Sequence, residues 1–175
     1  MLQLSNALVG KTVLSLRTGT PIAKVLGTVI NPDNLKIEGF YVEEKFSKKH
    51  LVLVSQDIRE VLHNGFVVND QEVLVEPGEL VRLKKVIDLE FSLIGKQVVT
   101  VSKEKVGKVS DYATETTTFF IQKIYVSQSI LKSFTGGNLS IDRSQIQEIT
   151  NTKVIINDLY GKDSVPSVAT APSAF

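Results

Sequence analysis

Apolar residues along this chain fall in short runs separated by turn-forming residues, a spacing that predicts strands rather than helices. The run around Val13 and Leu16 is cut by Arg17-Thr18-Gly19-Thr20-Pro21, where Gly and Pro supply turn dihedrals. Extended structure resumes over Ile22–Ile30 and stops at Asn31-Pro32-Asp33-Asn34. From Leu35 to Val42, Leu35, Ile37 and Tyr41 alternate imperfectly with Lys36 and Glu38, as in a half-buried strand. Leu51–Val54 and Phe66–Val68 are short apolar runs between polar turns. Only the segment from Glu76 to Ile87 changes period. Pro77 suits a first helical turn, Glu79 the positive end of a helix dipole, and Leu80, Leu83 and Ile87 share one face. A short helix is expected there.

The strand pattern occurs twice. Leu8-Val9-Gly10-Lys11-Thr12-Val13 returns as Leu93-Ile94-Gly95-Lys96-Gln97-Val98, and Ile22-Ala23-Lys24-Val25 as Val106-Gly107-Lys108-Val109. Residues 37–42 (IEGFYV) match 121–126 (IQKIYV), and residues 66–70 (FVVND) match 154–158 (VIIND). Over 54 paired positions, 14 are identical, against about 3 expected by chance from average residue usage. Several of the differences exchange one apolar residue for another, as at Leu16/Val101, Leu53/Ile141 and Val61/Ile149, so the chain holds two copies of one unit. Each copy carries roughly five or six short strands, and a twisted sheet of that size most economically hides its edges by curling into a small barrel.

This pattern (apolar-apolar-Gly-Lys-x-Val, a turn, apolar-small-Lys-Val, a Pro- or Asp-containing turn, then an apolar strand) resembles the PRC-barrel domain. The resemblance covers about 4–75 and 89–160. The second copy keeps Gly107-Lys108-Val109, whereas the first has Ala23-Lys24-Val25. It implies an all-β fold of two small PRC-type β-barrels in tandem. The expected division is a first domain over 1–75, a helical linker over 76–88, a second domain over 89–160 and a disordered tail over 161–175. Relatives include the cytoplasmic part of the photosynthetic reaction-centre H subunit and the C-terminal domain of the ribosome maturation factor. The family offers no catalytic set to carry over, and its members mostly act as docking modules.

Composition narrows the chemistry. Without Cys there is no disulfide framework, thiolate metal site or cysteine nucleophile, and two His, His50 and His63, leave little for metal sites or relays. The net charge of +1 is spread evenly: the first copy is neutral and the second +2. That argues against binding driven by counterion release from nucleic acid. No apolar run approaches the roughly 20 residues that span a bilayer, and residues 1–11 lack the basic start of a secretory leader. A soluble cytoplasmic protein is expected, with no membrane span.

Gly10-Lys11 and Gly95-Lys96 lack the spacing of a phosphate loop, and a glycine at strand entry explains them better. Two loops stand out as interaction candidates. Lys45, Phe46, Lys48 and Lys49 form the densest basic cluster, although Glu43 and Glu44 just before it cancel much of its field. The matching loop of the second copy carries Ile130, Leu131 and Phe134 ahead of a Gly-Gly pair, apolar enough to plug a barrel mouth or meet a partner. No nucleophile elbow, His-x-x-Glu-His or clustered Asp/His set occurs, and adjacent Glu43 and Glu44 point to opposite faces of a strand. The expected function is therefore non-enzymatic and cofactor-free: an adaptor that docks a protein partner. By analogy with the ribosome maturation factor, an RNA- or ribosome-associated assembly role is the alternative. A small-molecule sensor using a cleft between the barrels comes third.

Overall fold

Gly10 and Gly95, the glycines of the two Gly-Lys steps, both adopt left-handed backbone with φ of 87° and 86°, a region that costs other residues but not glycine. The computed structural model describes residues 1–128 and 138–158, and in it these glycines turn the chain into the first core strand of each copy. The next residue is pinned in both. Lys11 Nζ donates to the carbonyl oxygens of Leu62 (2.8 Å) and His63, and Lys96 Nζ donates to that of Asn151. Each lysine therefore ties a hairpin turn late in its copy back to the start of that copy. Lys11 is almost fully buried, and burial pulls its pKa below the usual lysine value.

Slightly more than half of the described residues form strands, in two seven-stranded sheets. The first contains β2 (Thr12–Ser15), β3 (Pro21–Asn31), β4 (Lys36–Glu44), β5 (His50–Val54), β6 (Ile58–Val61), β7 (Gly65–Val68) and β8 (Leu74–Val75), in the order β6-β7-β2-β3-β4-β5-β8. The second is built from β9 (Gln97–Thr100), β10 (Lys105–Glu115), β11 (Ile121–Ser127), β12 (Asn138–Asp142), β13 (Ile146–Ile149) and β14 (Lys153–Ile156), in the order β12-β11-β10-β9-β14-β13. Its seventh strand, β1 (Leu2–Leu4), joins the edge of β10. Reading β2–β7 onto β9–β14, the two orders are the same.

The correspondence extends to register. β2 runs parallel to β7 with Val13 opposite Phe66, and β9 runs parallel to β14 with Val98 opposite Val154. Irregularities recur at Val25/Gly27 and Val109/Asp111, and again at Val29/Ile30 and Ala113/Thr114. The departure at Ala23 is also accommodated: Ala23 is buried in β3, whereas a Cβ at Gly107 would lie 2.1 Å from the Ser127 carbonyl oxygen. The duplication read from sequence is thus a duplication of topology.

Two expectations need adjusting. Closed sheets were expected, yet among the described residues no pairing joins the first and last strands of either sheet. Instead of curling fully on itself, each copy covers its apolar interior partly with the other. The expected helix over 77–87 is two short pieces: a 3-10 turn at Pro77–Glu79 and α2 (Lys84–Asp88), α1 being the single turn Ser5–Leu8 after β1. Leu80, with ψ of 71°, breaks the helical path between them, though Leu80, Leu83 and Ile87 remain half-buried while Val81 and Arg82 face solvent. The tail over 161–175 lies outside the described residues.

The copies meet through an exchange of turns. Leu35 and Phe119, equivalent residues at the β3–β4 and β10–β11 turns, both have positive φ, at 51° and 59°. The Ile37 amide donates to the Phe119 carbonyl at 2.9 Å, and the Ile121 amide donates to the Leu35 carbonyl at 2.8 Å. Lys36 pairs with Phe120 between them. These reciprocal partners define an approximate two-fold axis, on which Thr28 Oγ1 and Tyr112 OH also meet at 2.9 Å. Phe119 places its ring 5.5 Å from Phe40 and 6.3 Å from Phe66, edge-on to both, inside the first copy. Leu35 and Phe119 are 5% and 6% exposed, and buried residues of both copies form one apolar cluster.

Truncating Phe119 to Ala should therefore cost about 3–5 kcal/mol of unfolding free energy and leave a single cooperative transition spanning both sheets. Denaturant unfolding followed by circular dichroism, with Tyr fluorescence as a second probe, checks this. Two separated transitions in the parent protein would contradict a shared core.

Candidate functional site

The hairpin tip between β4 and β5 holds four of the residues singled out from sequence. β4 ends at Glu44 because that side chain turns inward, following the alternation of the strand: Glu43 is half-buried and Glu44 only 3% exposed. A buried carboxylate needs donors, and the turn supplies them. The Phe46 amide donates to Glu44 Oε1 at 3.2 Å, the Ser47 amide to Oε2 at 2.6 Å, and Gln71 Nε2 to Oε1 at 3.4 Å. Hydrogen bonding from Ser47, side chain and backbone, together with the Phe46 amide, holds the Glu44 carboxyl below the usual glutamate value.

The backbone closes the same turn. The Glu44 amide donates to the Lys49 carbonyl at 2.9 Å, and the Lys48 amide to the Glu44 carbonyl at 3.1 Å, with Lys48 in left-handed backbone at φ 59°. On the far side, the Lys45 amide reaches the Ile22 carbonyl at 2.8 Å and ties the tip to the sheet. The tip is thus fixed from within, and Phe46 stands on it 77% exposed.

The lysines around Phe46 are occupied. Lys45 Nζ lies 5.5 Å from the Phe46 ring centre, Lys48 pairs with Glu43 at 3.4 Å, and Lys49 pairs with Glu76 at 3.5 Å. The structure brings Lys45, Phe46, Lys48 and Lys49 together at one tip, as the sequence places them. Ile130, Leu131 and Phe134, in the matching loop of the second copy, lie outside the described residues. Sequence reasoning set Glu43 and Glu44 on opposite faces of a strand and counted both as charge cancelling the lysines, without saying which faced inward, and passed over Ser47 and Gln71. The available signal was strand alternation, which puts the second of two adjacent glutamates inside.

Elsewhere the chemistry is sparse. Among the described residues, no three His, Asp or Glu side chains gather in a geometry that could hold a metal, and no helix is long and apolar enough to cross a membrane. Two polar clefts, of about 430 and 340 Å3, flank the approximate two-fold axis. Each lies where the turn of one copy approaches the edge strand of the other: Thr116–Phe119 beside β6, and Pro32–Leu35 beside β13. Their charged side chains differ apart from the equivalent Glu60 and Glu148, with Lys36 and Arg59 in one against Asp33 and Arg143 in the other. Arg143 is committed to structure, since its Nη2 donates to the Asn34 carbonyl at 2.6 Å and its guanidinium lies 4.8 Å from the Phe120 ring centre. Neither the known protein-family models nor the curated proteins yield a match to this chain.

A carboxyl with a lowered native pKa holds fewer protons in the folded than in the unfolded state as the pH falls. The contribution of Glu44 is therefore fully present above the ordinary glutamate value of 4.5 and is lost as pH drops through its lower folded value. Glu44→Gln should lower the urea midpoint near neutral pH and flatten its decline below about pH 4.5. Measuring midpoints across that range checks both parts, and a parallel decline in the two proteins would exclude a role for Glu44.

Proposed function

We propose that this chain is a non-enzymatic, cytoplasmic docking protein, built from two PRC-barrel-like copies over 1–75 and 89–160, that binds a protein partner through the hairpin tip carrying Phe46. The observation that carries the reading is an exposed aromatic side chain on a turn already fixed by the buried Glu44 carboxylate. Binding surfaces draw much of their energy from a few aromatic anchors, and an anchor whose loop is ordered beforehand avoids the entropy of ordering it on contact. Surface aromatics on loose tips lack that advantage. The Ile130–Phe134 segment is proposed as the corresponding contact of the second copy.

The ion pairs of Lys48 and Lys49 favour a protein over RNA as the partner. A phosphate backbone would have to compete with Glu43 and Glu76 for those ammonium groups, and a single ring gives too small a platform for stacked bases.

Phe46→Ala should leave the circular dichroism spectrum and melting midpoint unchanged while reducing capture of the partner about tenfold, the equivalent of ~1.4 kcal/mol. Quantitative capture from native lysate, comparing the two proteins with and without nuclease, makes the measurement. Equal capture by both proteins refutes docking through the tip. Capture abolished by nuclease and weakened steeply by salt would establish the RNA-associated role instead.

A further inference from the structure

The lead-in of each copy crosses to the long strand of the other. Ahead of the first copy, β1 lies along the outer edge of β10, with Leu2 opposite Glu115, Gln3 opposite Thr114 and Leu4 opposite Ala113. The matching stretch ahead of the second copy, Ile87-Asp88-Leu89, likewise reaches β3, but as the end of helix α2 and not as a strand. β2 pairs with β3 only as far as Lys24. Beyond that point, among the described residues, no strand pairs with the outer edge of β3 over Val29–Asn31. A cleft of about 260 Å3 opens there, lined by Thr28, Val29, Ile30, Tyr41, Val86 and Phe91, with Glu90 also on its wall. The seat is therefore filled by a strand in one copy and left without one in the other, with one difference: Thr116, whose amide donates to the Met1 carbonyl on the β10 side, is replaced by Pro32, which has no N–H, at the end of β3.

We propose that the outer edge of β3 at Val29–Asn31 is a docking seat for an extended segment of a partner protein with an apolar central residue. The chain itself shows the geometry. A three-residue strand, Leu2-Gln3-Leu4, fits the equivalent edge of β10 in antiparallel register, so unpaired backbone groups there accept an added strand. The side-chain preference comes from the difference between the seats. Directly opposite residues of an antiparallel pair point to the same face. On β10 that pair is Gln3 and Thr114, and Gln3 Oε1 and Thr114 Oγ1 are both buried without a hydrogen-bond partner. On β3 the position of Thr114 is taken by Ile30, 3% exposed, so an aliphatic residue replaces Gln at the centre of the incoming segment. Helix α2 and Phe91 border the seat. Helix α2 has five residues, none of them buried, and a helix that short has almost no stability of its own.

This seat is separate from the Phe46 tip, and the two readings fail independently. Two fluorescent peptides serve as probes: the chain's own first seven residues, Met-Leu-Gln-Leu-Ser-Asn-Ala, and the same peptide with Gln3→Val. Anisotropy titration against the intact protein should show saturable 1:1 binding, about tenfold tighter for the Val peptide, as burial of one aliphatic side chain implies. Val86→Trp, which fills the cleft from the helix side, should weaken both peptides at least about tenfold, while Phe46→Ala leaves them unchanged. Hydrogen exchange should slow at Val29–Asn31 on addition of peptide. The proposal is overturned if neither peptide saturates by about 1 mM, if a folded Val86→Trp protein binds as well as the parent, or if protection appears at Ala113–Glu115 instead. Should Val86→Trp not fold, the exchange map alone decides.

Discussion

Everything else in the structure depends on the reciprocal burial of Leu35 and Phe119. Each sits at a tight turn in left-handed backbone, where a side chain other than glycine carries a conformational cost, and each is held there by the opposite copy. The two backbone hydrogen bonds of the exchange, at Ile37 and Ile121, contribute about 1 kcal/mol apiece once water is accounted for. The aromatic cluster contributes more. Phe119 meets Phe40 and Phe66 edge-on, and such pairs add roughly 0.5–1.5 kcal/mol each beyond the burial of the ring itself. Packing, with hydrogen bonds setting the register, therefore holds the copies together. It also explains how two sheets with unjoined ends can stand as one molecule: the surface a closed barrel would have hidden is hidden by the neighbour.

The copies differ where they touch. On the approximate axis, Lys36 of the first copy faces Phe120 of the second, with its ammonium 5.8 Å from the ring centre. Two lysines at that position would repel, whereas a lysine and an aromatic ring attract. Arg143 adds a second cation over the same ring and bonds across to Asn34, while its counterpart in the first copy is Ser55. The cores are also unequal. Phe40 and Phe66 of the first copy correspond to Ile124 and Val154 of the second, and Phe119, larger than its equivalent Leu35, packs on both rings of the first. These differences favour pairing of unlike copies over like ones, as expected for halves that change together once joined in a single chain.

The elements that were legible in the sequence are those with their own local signal. Alternation and turn residues place β3, β4, β5 and β7 within a residue or two, and the Gly-Lys steps mark strand entry. β6 was not legible, because Ile58-Arg59-Glu60-Val61 has too little apolar pattern to stand out and is defined by pairing with β7. β1 was missed for the same reason: Leu2-Gln3-Leu4 becomes a strand only against β10, more than a hundred residues away. Leu35 read as the start of a strand and Phe119 was not singled out, since exchange between copies leaves no mark on local periodicity. At the candidate site the exposed residues were legible and their brace was not. Glu44, beside Glu43 and ahead of three lysines, looks like surface charge until the strand turns it inward.

Duplication makes the structure its own control. Where the copies agree, at the Gly-Lys step, the parallel β2–β7 and β9–β14 pairs and the paired irregularities, the shared feature serves the fold, because both copies need it to form. Where they differ without a compensating contact, the fold does not demand the difference. The opposite conformations of Leu2–Leu4 and Ile87–Leu89 are of that kind: equivalent stretches lie beside equivalent strands, one extended and one helical. A fold that needed the outer edge of β3 covered by a strand had a template for it eighty-odd residues earlier in the same chain. It has a five-residue helix with no buried side chain there instead, and next to it an edge that no strand among the described residues pairs with.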